Sequence, residues 1–201
     1  MTRPLIAIDI DDTLADSTEL IRLNVNNRYN VSISKEAYRS EGEYWGYYER
    51  VWAEHGIADL TLENFFDDEM VSEIMEVPLL PSALFAIKVL HKTFDIVLIT
   101  SRRKERAAQT KKWVETSFGG ITIDVHFSEA HKDESKMTKG QICTALGARY
   151  LIDDNVGHCE SAINEGVTPL LFGEYGWQGS APDTLFRCRD WPSVLDYFAR
   201  I

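Results

Sequence analysis

The stretch Leu5–Thr13, with the sequence LIAIDIDDT, decides the fold of this chain and points to its chemistry. An apolar run of strand length is followed directly by Asp9 and Asp11. Side chains alternate along extended backbone, so both carboxylates lie on one side where the strand leaves its sheet. Two close carboxylates repel each other unless a cation or a shared proton holds them together. The spacing therefore indicates a divalent-metal site in which one carboxylate is free to act as a nucleophile or an acid–base group.

A turn without chemistry is the alternative reading of the same residues. In that reading the strand is followed by a side-chain-stabilised turn, and Asp12 or Thr13 caps the next helix. Only features further along the chain can decide between the two.

The composition limits the classes of molecule that this protein is expected to bind. The chain has 201 residues, 44% of them hydrophobic and 26% charged, which fits one domain or a core domain with an insertion. Its formal net charge of −11 argues against a polymeric nucleic acid or an anionic membrane as partner, because both reward Lys and Arg. A small phosphorylated substrate stays compatible, since a bound metal can offset its charge locally.

The cysteines and the apolar runs predict a cytoplasmic protein without a membrane span. The three cysteines are far apart and lack the C-x-x-C spacing, which favours a reducing compartment. The first strand begins almost at Met1 and leaves no room for a signal peptide. Runs such as Ile96–Ile99 are far too short to cross a bilayer.

Strand-like and helix-like segments alternate over most of the chain. Four further apolar runs have strand length: Asp95–Thr100, Ile121–Phe127, Arg149–Ile152 and Thr168–Phe172. Segments with helical periodicity lie between or after them: Ser82–Leu90, Arg106–Phe118, Thr138–Leu146 and Cys159–Glu165. This alternation predicts an α/β fold, a Rossmann-like doubly wound parallel sheet with helices on both faces.

Residues 17–78 break this rhythm, because they contain no convincing strand and have the pattern of several short helices. We therefore expect residues 1–16 and 79–201 to form the α/β core and residues 17–78 to form a small helical cap inserted after the first strand. The tail after Tyr175 has a loop-like composition until a last amphipathic turn at Val194–Phe198. In it, Trp177 and Trp191 are expected to anchor the tail.

Polar residues stand at two more strand ends. Thr100, Ser101 and Arg102 follow the second strand, where hydroxyls and helix-start N–H groups suit phosphate oxygens; a plain helix cap is the alternative. Asp153 and Asp154 follow the fourth strand without a basic neighbour in sequence, which Mg²⁺ would explain. The alternative for this pair is a helix cap beside a solvated Asp.

A lysine at a helix start suggests an anionic partner. Lys139 lies in the first turn of a predicted helix, where the helix dipole disfavours a cation. Lys136 is its competitor, and a solvated surface lysine is the alternative for either.

This ordered set resembles the motifs of the haloacid dehalogenase-like (HAD) phosphohydrolase superfamily. The matching residues are Asp9, Asp11, Thr13, Thr100, Lys139, Asp153 and Asp154. The resemblance extends from Leu5 to about Phe172 and implies the HAD-like fold with a Mg²⁺-dependent phosphatase activity.

The resemblance also implies a role for each motif residue. Asp9 would attack phosphorus and form an aspartyl-phosphate, and Asp11 would act as acid and then as base. Mg²⁺ would be held by Asp9, the backbone carbonyl of Asp11, and Asp153. The phosphate would be held by Thr100, Ser101 and Lys139, with supporting roles for Thr13, Arg102 and Asp154.

Within the superfamily the chain is most similar to the cytosolic type C 5′-nucleotidases, which include the 5′(3′)-deoxyribonucleotidases. Their Thr-Ser-Pro is Thr100-Ser101-Arg102 here, so Arg102 would contact the substrate or pair with the cap. The same run and Thr110–Trp113 are also similar to the 3′-phosphatase module of polynucleotide kinases. A nucleoside monophosphate is therefore the expected substrate. The alternative substrates are another small phosphorylated metabolite or a 3′-phosphate end, and the alternative function is non-catalytic binding of a phospho-ligand.

Aromatic residues in the predicted cap bear on the substrate. Six of them fall within fifteen residues: Tyr38, Tyr44, Trp45, Tyr47, Tyr48 and Trp52. Stripes of this kind usually form a core, but Trp45 and Tyr48 are candidates to stack on a nucleobase. His158, a few residues after the acidic pair, is expected to be a surface histidine at a helix start rather than a metal ligand.

Overall fold

A parallel sheet of six strands forms the centre of the molecule. The computed structural model describes residues 3–38, 47–67, 77–130, 135–179 and 181–201. Within them the strands are β1 (Leu5–Ile8), β2 (Asp95–Thr100), β3 (Asp124–Phe127), β4 (Ala148–Asp153), β5 (Thr168–Phe172) and β6 (Phe186–Cys188). They lie in the order β3-β2-β1-β4-β5-β6, and all neighbours are parallel. The doubly wound parallel sheet expected from the sequence is confirmed.

Helices cover both faces of this sheet. In the described residues they are α1 (Ser17–Tyr29), α2 (Tyr47–Glu54), α3 (Leu62–Asp67), α4 (Ala83–Leu90), α5 (Ala107–Ser117), α6 (Lys139–Leu146), α7 (Val156–Asn164) and α8 (Trp191–Phe198). Helices α4, α5 and α8 share one apolar cluster with the sheet, and α6 and α7 share another. Among these described helices, none has the apolar length that crossing a bilayer requires.

The alternation of side chains along β1 explains the two layers. Ile6 and Ile8 belong to the cluster under α4, α5 and α8, whereas Ala7 belongs to the cluster under α6 and α7. Because successive side chains of a strand point to opposite faces, a strand buried on both faces must be apolar throughout. This accounts for the uninterrupted apolar run before Asp9.

The described part of residues 17–78 is helical. It comprises α1, a 3-10 helix at Lys35–Tyr38, α2 and α3, and its apolar side chains form a cluster around Trp52 that also includes Trp177 of the tail. The chain leaves and rejoins the sheet domain at adjacent points, since Asp16 N donates to Pro78 O (2.9 Å) and Leu80 N donates to Leu14 O (2.8 Å). The division into core and cap at residues 17 and 78 stays a prediction.

Several predicted boundaries differ from the observed ones. Strand β3 begins at Asp124 rather than Ile121, and α7 begins at Val156 rather than Cys159 because Asn155 accepts a bond from His158 N and caps it. The tail expected to be loop-like contains β6, whose three residues are too few to show a strand pattern. Helix α8 begins at Trp191 rather than Val194.

Candidate functional site

The loop after β1 places the first acidic residues. Asp9 N donates to Ile152 O of β4 (2.9 Å), so the backbone of Asp9 continues the strand before the loop turns away. Asp12 adopts a left-handed conformation (φ 54°), and its buried carboxylate accepts bonds from Thr18 N (3.0 Å) and Thr18 Oγ1 (2.6 Å). Asp12 therefore binds the first turn of α1, as the turn interpretation expected, while Asp9 is free for other partners.

The register of the sheet brings the polar strand ends together. Ile8 of β1 pairs with Leu98 of β2 on one side and with Ile152 of β4 on the other. The residues that follow these positions therefore leave the sheet at the same edge. Strands β2 and β3 lie on one side of β1, and β4, β5 and β6 lie on the other, so the strand order reverses at β1. In open α/β sheets, this switch point is where ligands bind.

Lys139 forms the centre of the site. Its Nζ donates to Asp9 Oδ1 (2.6 Å) and to Asp153 Oδ2 (2.8 Å), and the three residues are 1%, 5% and 0% exposed, respectively. Helix α6 begins at Lys139 with a reciprocal cap between Thr138 and Gln141, which fixes the lysine at the helix start. Lys136 is exposed, so among the two candidate lysines the structure places Lys139 at the acidic residues.

Asp154 adds a third buried carboxylate. Carboxylate oxygens of Asp9, Asp153 and Asp154 lie within 4.8 Å of one another. Asp154 Oδ2 accepts a bond from Trp177 Nε1 (2.9 Å), whereas its buried Oδ1 has no partner among the described residues. Three buried carboxylates face one ammonium group, and one acceptor oxygen is unsatisfied. These residues fit a hard divalent cation such as Mg²⁺, which prefers carboxylate oxygens.

Burial and mutual repulsion set the pKa values of this group. Burial raises the pKa of Asp9 to about 7. Lys139 lowers this pKa, but the negative charges of Asp153 and Asp11 raise it again, so Lys139 offsets only part of the increase. Burial raises the pKa of Asp154 well above its usual value, and the charges of Asp153 and Asp9 raise it further. Burial would also raise the pKa of Asp153, but Lys139 and His158 hold it well below its usual range. Burial and mutual repulsion therefore favour the protonated forms of Asp9 and Asp154, and a further cation would favour their carboxylate forms.

Asp11 has a different partner. Arg102 donates to its carboxylate through Nε (2.9 Å to Oδ2) and Nη2 (2.7 Å to Oδ1), and Ser17 Oγ donates to Oδ1 (2.6 Å). Burial alone would raise the pKa of Asp11, but Arg102 and Ser17 hold it below its usual value. The sequence left a substrate contact or a cap contact open for Arg102; the structure shows an ion pair with Asp11.

The Arg102 guanidinium is held on a second side as well. It lies over the ring of Trp113, 5.4 Å from the ring centroid, and its buried Nη1 has no partner among the described residues. A stacked, forked arginine of this kind has a defined orientation, which a lysine could not reproduce.

The predicted hydroxyl groups lie at the same edge of the sheet. Thr100 is buried, and its Oγ1 accepts a bond from Arg102 N (3.1 Å). Thr13 Oγ1 is buried without a partner in the described part of the chain, and Ser101 is half-buried at the end of β2. Their proposed contacts with phosphate and metal stay predictions.

The cap candidates for base stacking have separate outcomes. Trp45 lies outside the described residues. Tyr48 is half-buried, with its ring centroid 5.7 Å from those of Tyr38 and Trp52. Its hydroxyl lies 2.6 Å from Thr18 Oγ1, the group that also donates to Asp12. Tyr48 therefore packs within the cap and links α2 to the loop after β1, and its stacking role stays a prediction.

Sequence reasoning missed two partners of the acidic pair. His158, expected at the surface, is half-buried with Nδ1 3.1 Å from Asp153 Oδ1. Trp177, expected only to anchor the tail, donates to Asp154. For His158, the sequence did contain a signal: a residue five positions after Asp153, in the first turn of a helix, can fold back to contact that carboxylate. For Trp177 the sequence offered none, because its partner is 23 residues away.

Solved HAD-like structures superpose on nearly the whole chain. An HAD family hydrolase from Deinococcus radiodurans, with bound phosphate and sodium, has a TM-score of 0.66 at 11% identity over 98% of this chain and 96% of that chain. The magnesium-bound YfnB from Bacillus subtilis, described as an HAD-hydrolase, has a TM-score of 0.64 at 13% identity over 100% of both chains. A predicted phosphatase from Clostridium acetobutylicum has a TM-score of 0.62 at 13% identity over 100% of both.

No protein-family model and no curated protein matches this sequence. At the identities found, the structural similarity establishes the fold: the chain has the α/β fold of the HAD-like hydrolases.

Proposed function

We propose that this protein is a Mg²⁺-dependent phosphomonoesterase that works through an aspartyl-phosphate on Asp9. The observation that carries the proposal is the buried contact of Lys139 with both Asp9 and Asp153, at the switch point of an HAD-like fold. A lysine that bridges two acids can hold an anionic phosphoryl group against one of them. The resident divalent cation would be held by Asp9 and Asp153 with the backbone carbonyl of Asp11, and Asp154 would support it.

The residues divide the reaction between them. A carboxylate oxygen of Asp9 attacks phosphorus, the bond from phosphorus to the leaving oxygen breaks, and Asp11 gives that oxygen a proton. Asp11 then takes a proton from water, whose oxygen attacks the aspartyl-phosphate and restores Asp9. Lys139 and Thr100 hold the non-bridging phosphate oxygens. Bound Mg²⁺ supplies neutralisation of the phosphoryl charge.

The ion pair of Asp11 with Arg102 bears on this sequence of steps. In the observed arrangement Asp11 is a carboxylate, which suits its role as base toward water. Its role as acid in the first step requires that it gain a proton, and this is easier once Arg102 has turned to another partner. An incoming phosphate group is such a partner, because a guanidinium binds phosphate through the same paired donors.

Nucleoside monophosphates are the substrate class that we propose. The support is the aromatic cluster of the cap, which Tyr48 connects to the loop after β1, together with the net charge of −11, which disfavours polymers. A different small phosphorylated metabolite is the alternative within the same chemistry.

The test uses p-nitrophenyl phosphate with Mg²⁺. We expect Asp9→Asn to lower kcat by a factor on the order of 10³ or more, because the nucleophile is lost. Asp95→Asn is the control, since Asp95 is exposed at the opposite end of the sheet. Full activity of Asp9→Asn would refute the covalent mechanism, and an inactive wild-type protein would favour a binding role. A panel of nucleotides, sugar phosphates and 3′-phosphorylated oligonucleotides tests the substrate class; equal turnover of all would contradict the nucleotide proposal.

A further inference from the structure

A four-residue segment of the tail contacts both acidic motifs. This segment, Tyr175–Gln178, is called the YGWQ segment below, and Gly176–Gln178 within it forms a 3-10 helix. Trp177 Nε1 donates to Asp154 Oδ2 (2.9 Å), and Gln178 Nε2 donates to the backbone oxygen of Asp154 (2.8 Å). Tyr175 Oη donates to the backbone oxygen of Asp12 (2.7 Å). The segment thus binds both the side chain and the backbone of Asp154, and it binds the backbone of Asp12 in the loop after β1.

The YGWQ segment is itself rigidly held. The rings of Tyr175 and Trp177 stack with centroids 4.5 Å apart and an angle of 5° between their planes. Gln178 is buried and also donates to Phe172 O (2.7 Å). A Cβ atom at Gly173 (φ 83°) would lie 2.2 Å from Tyr175 Cε2, so the tyrosine ring fills the space above this glycine. The position of the indole N–H is therefore set by packing rather than by Asp154.

Trp177 also belongs to the cap. Its side chain is buried in the apolar cluster that includes Trp52 and Phe65, although the residue comes from the loop after β5. The side chain of Trp177, which belongs to the tail, therefore contacts both the acidic pair and the apolar cluster of the cap.

The contacts of Asp154 leave one oxygen for another ligand. Trp177 occupies Oδ2 and Gln178 occupies the backbone carbonyl, whereas the buried Oδ1 has no partner within the described residues. A buried acceptor without a partner is unfavourable, so in native proteins it usually marks a missing water or ion. Asp154 also lies in the group of three carboxylates described above.

We infer that Trp177 is a positioning residue of the metal site: its indole N–H holds Asp154 Oδ2 so that Oδ1 faces a divalent cation shared with Asp9 and Asp153. The inference rests on the metal site of the proposed function and adds to it a residue outside the acidic motifs. Partners that orient metal-binding carboxylates contribute roughly 10- to 100-fold to metal affinity.

Trp177→Phe is the variant that tests the inference, because it keeps an aromatic ring for packing and removes the N–H donor. We expect it to raise the Kd for Mg²⁺ by about 10-fold or more. Trp52→Phe is the matched control: it removes an indole N–H that donates over the same 2.9 Å to a buried oxygen, Tyr38 Oη, away from the acids. We expect the control to bind Mg²⁺ as the wild-type protein does.

The measurement is calorimetric titration of the full chain with Mg²⁺, after circular dichroism has shown that each variant is folded. A Kd for Trp177→Phe within about twofold of the wild-type value would overturn the inference and leave the metal site intact. Failure of the wild-type protein to bind Mg²⁺ would overturn both the inference and the metal part of the proposed function.

A second readout needs no variant to fold well. In a ¹H–¹⁵N spectrum of the wild-type protein, we expect Mg²⁺ to shift the indole resonance of Trp177 and to leave that of Trp52 in place. The Trp177 indole is next to a proposed ligand, whereas the Trp52 indole bonds within the cap. An unchanged Trp177 resonance in a protein that binds Mg²⁺ by calorimetry would overturn the inference.

Discussion

Removal of the Lys139 ammonium tests the electrostatic balance of the site most directly. We consider Lys139→Met, which keeps an unbranched side chain in the buried position and removes the charge. Lys139 Nζ is the cation that touches both Asp9 and Asp153, so its loss leaves two buried carboxylates without their shared partner. Breaking a buried ion pair from one side typically destabilises a protein by about 3–5 kcal/mol.

This free energy converts into a measurable change of the midpoint of thermal unfolding. In a domain of this size, each 1 kcal/mol lowers Tm by about 2–4 °C, so we expect a fall of roughly 6–20 °C in EDTA. Because Lys139 lowers the pKa of Asp9 in the wild-type protein, its removal raises that pKa above about 7, and proton uptake by Asp9 would relieve part of the repulsion. The measurement is therefore made in an alkaline buffer, where this proton uptake is least.

Mg²⁺ then provides the second half of the test. A bound cation stabilises the folded protein by about 2.7 kcal/mol at about 100 times its Kd. Because the loss of the ammonium leaves the two acids without a positive partner, we expect Mg²⁺ at a fixed concentration to raise the Tm of Lys139→Met more than that of the wild-type protein. The control is Lys136→Met, because Lys136 is exposed and its loss should change stability by less than about 0.5 kcal/mol. A fall in Tm of less than about 2 °C for Lys139→Met in EDTA would refute the reasoning.

Three further predictions concern other parts of the molecule. Burial raises the pKa of Asp12 to about 7, against about 3.9 in the unfolded chain, so the folded state binds more protons between these values. The contribution of Asp12 to stability is therefore complete below about pH 4 and is lost as the pH rises through 7, by up to about 1.4 kcal/mol per pH unit. Asp12→Asn should flatten the dependence of Tm on pH in EDTA, and an unchanged slope would contradict the assignment. Because Arg102 lowers the pKa of Asp11, Arg102→Ala should move the limb of the pH profile of kcat/KM that Asp11 governs to higher pH. Arg103→Ala, whose partner Glu63 is exposed, should not, so equal profiles for both variants would exclude the ion pair as the cause. Gly140→Ala should lower the free energy of unfolding by about 1–3 kcal/mol in chemical denaturation, because its Cβ would lie 2.2 Å from the Ser161 carbonyl oxygen. Gly119→Ala meets nothing closer than 3.7 Å and is the control; equal stability of the two would disprove close packing of α6 on α7.

The fold was predictable because its signals are local. A strand that is buried on both faces is apolar along its buried length, and β1 and the inner residues of β2 and β5 show this directly in the sequence. Strand β6 was missed for the opposite reason: it has three residues, two of them exposed, at the edge of the sheet. An edge strand of that length has no apolar pattern to read.

The acidic centre of the site was predictable from the same rule. The carboxyl ends of parallel strands meet at one edge, so residues that follow β1 and β4 must be neighbours. This rule indicated the proximity of Asp9 and Asp153, whereas Lys139, at the start of a helix, was associated with them only by the resemblance to the HAD motifs. The choice between Lys139 and Lys136 was not local: they differ by three positions, and only the packing of α6 shows which one is buried.

The sequence by itself determined five of the six strands of the sheet, the edge at which the polar strand ends meet, and the acids that lie there, because apolar patterns and their periodicity are properties of short segments. Only the tertiary structure decided which groups the acids bind. Arg102 and Asp11 are 91 residues apart, and Trp177 and Asp154 are 23 residues apart. The conformation of a loop and the packing of a cap bring such pairs together, and neither follows from the pattern of any one segment.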